Sequence, residues 1–253
     1  MRQTNCPQRP PRLRCDVDCI AVIPCCNEAE AIGPLVTAVR GHLPRVLVVD
    51  DGSTDDTAAV AQQAGAEVLS SATNQGKGAA LQLGLRRARE LGCTWALLLD
   101  GDGQHATEDI PAFLAALRAD RADLVIGNRM AAPGAMPPVR RATNRFMSAV
   151  LSSLTGAALP DTQCGFRLVR LSAWETLSLR CANFEVESEM LVAWLAAGRR
   201  VEFIPVRSRY HPMGRSQIRP VRDAVRWLRW LWRSRGDCAR AHARLKAPSA
   251  PAA

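Results

Sequence analysis

Apolar residues along the chain gather into short runs separated by longer amphipathic stretches. Residues 19–24 (CIAVIP), 45–50 (RVLVVD), 95–99 (WALLL) and 124–128 (LVIGN) are apolar on both faces, the pattern of strands buried on both sides of a sheet. A run at 67–70 (EVLS), a strand entered through the polar turn 160–167 (PDTQCGFR), and residues 201–209 complete the set. Between them, periodicity and capping residues predict helices over about 29–41, from the DDGSTD turn to about 65, from the NQGKG stretch to about 91, from Thr107 to about 117, over 140–154 and over 184–197. This alternation predicts an α/β fold with a mostly parallel central sheet, right-handed crossovers and helices on both faces. Residues 131–138, with three prolines and a glycine, read as a flexible loop able to close over a substrate.

The last helical pattern differs in kind. Val221, Ala224, Val225, Leu228, Leu231 and Trp232 share one face and Arg222, Arg226, Arg229 and Arg233 another, with Trp227 and Trp230 flanking the apolar side. Such a helix suits a membrane interface, and docking on its own domain explains the pattern equally well. Residues 1–18 and 237–253 carry no periodic pattern and read as disordered tails, leaving one domain over 19–218 and the basic helix over 219–236.

Composition narrows the class. The 253 residues, 47% hydrophobic, suffice for a full core, and no run of 18 apolar residues or apolar leader appears. The expectation is a cytoplasmic chain without a transmembrane helix. Nine cysteines with no CxxC pair, several inside predicted strands, predict reduced thiols in place of a disulfide framework or zinc site. The net charge of +9 concentrates near the end, where eleven arginines between Arg207 and Arg244 face only Asp223 and Asp237. An anionic partner follows. Nucleic acid is not expected, because no recognised binding motif accompanies the arginines.

The densest chemistry follows the run at 95–99, where Asp100 and Asp102 precede Gln104 and His105. Two carboxylates this close repel unless protonated or bridged by a cation, and magnesium or manganese would leave coordination positions for substrate phosphates. A turn with a helix cap explains the pair as well. The spacing Gly101-x-Gly103-x-x-Ala106 matches a dinucleotide fingerprint only loosely, since Asp102 inside it would repel a bare pyrophosphate. Asn27 with Glu28, Asp50 with Asp51, Asp100 with Asp102, and Arg129 each follow a predicted strand, so parallel strands gather them along one rim. Lys77, in a stretch that is not a P-loop, reads either as part of a glycine-rich helix start or as a phosphate ligand. Glu185, Glu187 and Glu189 either complement a helix dipole or serve catalysis. His105 reads as a supporting residue, and the four histidines show no metal-ligand spacing.

The stretches VIPCCNE, VVDDGSTDDT, NQGKGAAL, LLDGDGQH, VIGNRM, DTQCGFR, FEVESE and GRSQ, in this order over residues 19–218, resemble the family 2 glycosyltransferases that act on polyprenyl phosphates, typified by dolichyl-phosphate mannose and glucose synthases. The resemblance implies a GT-A fold and inverting transfer of mannose or glucose from a GDP- or UDP-hexose to a polyprenyl phosphate. It implies that Pro24, Cys26, Glu28, Val49, Asp51, Lys77 and Gly101 hold the nucleotide sugar, and that Asp100, Asp102 and Gln104 bind Mg2+ or Mn2+. It implies that Arg129, Arg140 or Arg141, Arg209 and Arg215 meet the phosphates, with Asp100, Asp102 and Arg129 as the catalytic set. Cys26 stands where the family commonly has an aromatic residue, and Gln217 where it often has lysine. The implied setting is the cytoplasmic face of a membrane, with peripheral attachment or a membrane-embedded partner subunit. A lipid phosphate is already largely dianionic at neutral pH and needs no strong general base. Two other readings stand beside this one: a saccharide or other hydroxyl acceptor, for which Asp161, Glu187 or Glu189 would be the base, and a non-catalytic membrane-associated nucleotide-sugar binder.

Overall fold

The computed structural model describes residues 18–209 and 220–246. In chain order these form β1 (Cys19–Cys25), α1 (Ala29–Arg40), β2 (Val46–Asp50), α2 (Thr57–Gln63), β3 (Glu67–Ser70), α3 (Lys77–Glu90), β4 (Trp95–Leu98), α4 (Ile110–Arg118), β5 (Leu124–Asn128), α5 (Pro138–Thr155), β6 (Arg167–Arg170), α6 (Leu171–Trp174), α7 (Val186–Ala196), β7 (Val201–Pro205), α8 (Pro220–Arg233) and α9 (Arg235–Lys246). Single 3-10 turns, Thr107–Asp109 and Arg129–Ala131, precede α4 and follow β5.

One seven-stranded sheet runs β3-β2-β1-β4-β6-β5-β7. All neighbours are parallel except at β6, which is antiparallel to both β4 and β5. Every residue of β1, β2 and β4 is buried, which requires cover on both faces and accounts for the unbroken apolar runs. Fully burying each of their valine, leucine and isoleucine side chains contributes about 1.5–3 kcal/mol.

The strand order reverses between β1 and β4, opening a crevice at their carboxyl ends. The antiparallel run of β6 matters as much. Arg167 pairs with Leu98, so residues 161–166, which precede β6, arrive at the same edge of the sheet as the loop that follows β4.

Two expectations are corrected, and one left open is decided in part. The last strand ends at Pro205 instead of 209; Val206 N still donates to Asn128 O, and the chain then leaves the sheet so that Ser208 bridges to His105. Residues 237–246, expected in a tail, belong to α9, which packs on α7 and α5 with Cys238 and Ala241 buried. A stripe of two small residues among arginines is too narrow for periodicity to detect. The basic helix exists as α8, but it docks through the residues that flank its apolar stripe. Trp227 and Trp230 are buried and Trp227 Nε1 donates to Ser188 Oγ at 3.0 Å, whereas Val225, Leu228 and Trp232 are 41%, 55% and 66% exposed. The basic loop 211–218, with Arg215 and Gln217, and the tails 1–17 and 247–253 lie outside the described residues. Among the described residues no helix is long and apolar enough to cross a membrane, and seven cysteines are free thiols.

Candidate active site

The loop after β4 turns tightly over the end of β1. A Cβ at Gly101 would stand 2.6 Å from Cys25 Cβ and 3.2 Å from Pro24 O, so only glycine lets the DGD turn lie this close. That turn presents Asp100 to an ion-pair cluster. Lys77 Nζ lies 2.6 Å from Asp100 Oδ1 and 2.5 Å from Glu187 Oε1, and His105 Nε2 lies 3.3 Å from Asp100 Oδ2. Phe184 covers the ammonium, its ring centroid 5.7 Å from Nζ. Desolvation works against the charge on Asp100, but Lys77 and then His105 outweigh it and hold the carboxyl well below the usual range. Desolvation also opposes the Lys77 charge, and Asp100 and Glu187 together raise the ammonium above its ordinary value. The two acids fix the lysine as a cation.

Asp102 accepts from Gln104 N at 3.0 Å. The Gln104 side-chain oxygen in turn accepts from Arg140 at 3.2 Å, and the Gln104 backbone carbonyl accepts from Arg209 N at 2.8 Å. The predicted pair of aspartates, Gln104, Lys77, Arg140 and Arg209 are thus brought together. Arg141, the alternative to Arg140, is exposed. Arg209 ion-pairs with Glu108, and Arg207 forks onto Asp109 at 2.6–3.0 Å, which pins the start of the basic loop beside the aspartate turn. Between this segment and Ala132, Pro133 and Gly134 lies a cleft of about 530 Å³. The expected mobile loop therefore forms one wall of a cavity.

Other expected site residues have different work in the fold. Arg129 is buried, and its Nε and Nη2 fork onto the fully buried Asp161 at 2.8 and 2.9 Å while its backbone N donates at 3.0 Å. Asn144 and Gln163 N also donate to Asp161, so this pair braces the turn before β6 instead of presenting a guanidinium to a phosphate. Val49 is a core residue of β2, packed against α3 at Gly84, and does not reach the rim. Asp51 is buried and accepts from Gln75 N and Gly76 N at 2.8 and 2.7 Å, folding the NQG turn back onto β2. The amino terminus of α3 is closed as well. Gly78 N and Ala79 N donate to Ala182 O, so those amides do not face a phosphate. Pro24 is buried at the end of β1, Cys26 accepts from Asn74 Nδ2 at 3.2 Å, and Glu28 N donates to Thr57 Oγ1.

The structure adds residues whose part in the site could not be read locally. A Cβ at Gly165 would lie 2.7 Å from both carboxylate oxygens of Asp100, so this glycine is the backstop of that side chain. Arg167 is buried and donates to the carbonyls of Cys164, Thr162 and Glu187 at 2.7–3.0 Å, tying the turn before β6 to α7. Their signal in the sequence was the DTQCGFR stretch, but nothing local connects it to Asp100.

Among the described residues no three His, Cys, Asp or Glu side chains converge as a metal cage. Asp100, Asp102 and the Gln104 carbonyl oxygen fit a different arrangement, in which magnesium or manganese takes one or two carboxylates and completes its shell with water and substrate phosphates.

The glycosyl transferase family 2 model matches residues 20–177. The chain belongs to that family. This glycosyltransferase is 33% identical over 214 residues to the glycosyltransferase AglJ of Haloferax volcanii, covering 82% of this chain and 68% of that protein. It is 31% identical over 235 residues to the undecaprenyl-phosphate mannosyltransferase of Micrococcus luteus, covering 83% and 95%. Its GT-A fold is shared with glucosyl-3-phosphoglycerate synthase from Mycobacterium tuberculosis, solved in complex with Mn2+, uridine diphosphate and phosphoglyceric acid, at a TM-score of 0.64 and 19% identity over 92% of this chain and 80% of that one.

Proposed function

We propose that this glycosyltransferase moves a hexose, mannose or glucose, from a GDP- or UDP-sugar to a polyprenyl phosphate, with inversion, at the cytoplasmic surface of a membrane. The observation that carries the acceptor class is the state of the candidate bases. A hydroxyl acceptor needs a carboxylate free to take its proton. Asp161 is fully buried under Arg129, Glu187 is buried against Lys77, and Glu189 accepts from Arg180 N and Cys181 N. An acceptor that brings its own anionic nucleophile suits such a site. The named activity of the Micrococcus luteus relative supports the same reading.

In this reading Asp100, Asp102 and Gln104 hold a magnesium or manganese ion, which when bound offsets charge on the departing nucleotide diphosphate. Lys77 holds Asp100 in place, while the Arg140 guanidinium stands beside Gln104, where a second phosphate can be oriented against its own repulsion, and Arg209, ion-paired with Glu108, holds the same turn through its backbone N. Alignment of the acceptor phosphate with the sugar carbon supplies much of the acceleration. The exposed Val225, Leu228 and Trp232 stripe on α8, with arginines beside it, supports peripheral attachment. A membrane-embedded partner subunit could share that surface.

The test is transfer of labelled sugar from a panel of GDP- and UDP-hexoses into organic-extractable lipid, comparing polyprenyl phosphate with free polyprenol, with and without divalent metal. Metal-dependent labelling of the phosphate alone is expected, and Asp102→Ala abolishes it. Labelling of a soluble sugar with none in lipid would reject the acceptor.

A further inference from the structure

We propose that Lys77 is an exchangeable counter-cation of Asp100, one that makes divalent-metal capture depend on the donor's diphosphate; this rests on the metal reading of Asp100 and Asp102 given above. Both oxygens of Asp100 face groups of the protein. Oδ1 is 2.6 Å from the Lys77 ammonium and Oδ2 is 3.3 Å from His105 Nε2. Gly165 backs the carboxylate closely, so the acid has little room to turn away from the lysine. A metal ion approaching Asp100 meets a positive charge already in contact with it.

The lysine has somewhere else to stay. Glu187 Oε1 is 2.5 Å from Nζ, and Glu187 Oε2 is buried without a hydrogen-bond partner, so this carboxylate has spare capacity to keep the ammonium when Asp100 exchanges it for the metal. The net charge points the same way. Lys77 lies on Asp100 and Glu187, Arg140 on the Gln104 side chain and Arg167 on the Glu187 backbone carbonyl, three arginine and lysine cations for the carboxylates of Asp100, Asp102 and Glu187, with His105 beside Asp100. A divalent ion alone leaves this cluster with two uncompensated charges. A metal together with the two negative charges of a nucleotide sugar's diphosphate restores the balance, and the extra charge on free UDP or GDP compensates it at least as well. Even at the screening of bulk water, charges of +1 and +2 about 5 Å apart repel enough to change affinity about tenfold. Lys77 thereby enforces joint binding of metal and donor, and Glu187 is the positioning residue that holds it.

The experiment is a titration of Mn2+ into the full chain, free ion followed by electron paramagnetic resonance, with and without UDP or GDP, in the native protein, Lys77→Met and Glu187→Gln. The native protein is expected to bind Mn2+ alone weakly and about tenfold or more tightly with a nucleotide diphosphate. Lys77→Met should bind Mn2+ alone about tenfold more tightly than native, with the nucleotide enhancement reduced. Glu187→Gln, which keeps the lysine and removes a negative charge, should bind Mn2+ alone more weakly than native and recover with nucleotide. This second variant keeps the test decisive if Lys77→Met does not fold. A folded Lys77→Met with native affinity for Mn2+ alone, or a Glu187→Gln that binds Mn2+ alone as the native protein does, overturns the inference. Absence of Mn2+ binding in native protein with either nucleotide rejects the underlying metal site itself.

Discussion

The Arg129–Asp161 pair allows a quantitative test of how the rim is braced. Asp161 has no exposed surface and accepts five hydrogen bonds, three from Arg129 and one each from Asn144 and Gln163 N. Asp161→Ala leaves the Arg129 guanidinium, 7% exposed, without its counter-ion. Removing one partner of a buried pair costs about 3–5 kcal/mol, and at about 2–4 °C per kcal/mol for a chain of this size the midpoint of thermal unfolding falls by about 6–20 °C. Arg129→Met should cost a similar amount. The double variant Arg129→Met/Asp161→Ala should cost far less than the sum, because no buried charge is stranded, giving a coupling energy of about 2 kcal/mol or more. Urea unfolding followed by circular dichroism measures all four corners of the cycle. An Asp161→Ala loss under about 1 kcal/mol, or strict additivity, would refute the bracing role and return Arg129 to phosphate binding.

Gly165→Ala should leave the fold intact by circular dichroism yet reduce turnover about 100-fold, because its Cβ would sit 2.7 Å from both Asp100 oxygens and displace them; near-native turnover would show that Asp100 has room to move. Asp100 is depressed below its ordinary value of about 4, so its stabilising charge is complete above that value and is lost only as pH falls through the lower folded value. Lys77 is raised above its ordinary value of about 10.4, so its contribution holds below that and is lost only as pH rises through the higher folded value. The urea-midpoint difference between native protein and Asp100→Asn should therefore stay constant from about pH 8 to 9, above the range in which an ordinary imidazole changes charge, His105 being a neighbour of Asp100, and a slope within that window would contradict the assigned pair. On α8, Leu228→Ser with Trp232→Ser should weaken sedimentation with anionic vesicles while changing stability by no more than about 0.5 kcal/mol, whereas Trp227→Ala should cost about 3–5 kcal/mol. Unchanged sedimentation would leave that stripe without a membrane role.

Residue order alone marked β1, β2, β4 and β5, because apolar runs of five or six residues bounded by turn residues are too short for a helix and fit a sheet covered on both faces, and it determined that the polar groups after these strands share one edge, because parallel strands all point the same way. It also carried the family, through motifs whose order survives without any knowledge of contacts. The partner of each charge was decided only in three dimensions. Lys77 and Asp100 meet because α3 returns the chain to β4, and Glu187 joins them from α7. Gly165 and Arg167 reach the same place because β6 enters the sheet antiparallel between β4 and β5, reversing which end of its flanking turn lies at the rim. Periodicity records which face of an element is apolar, but not what covers it. α8 therefore reads as one amphipathic helix in sequence, while its docking through Trp227 and Trp230 and the exposure of Leu228 and Trp232 follow from the shape of the surface beside Ser188. Arg129 follows a strand end and the family resemblance implies a phosphate ligand, yet folding sets it against the buried Asp161 as an internal ion pair.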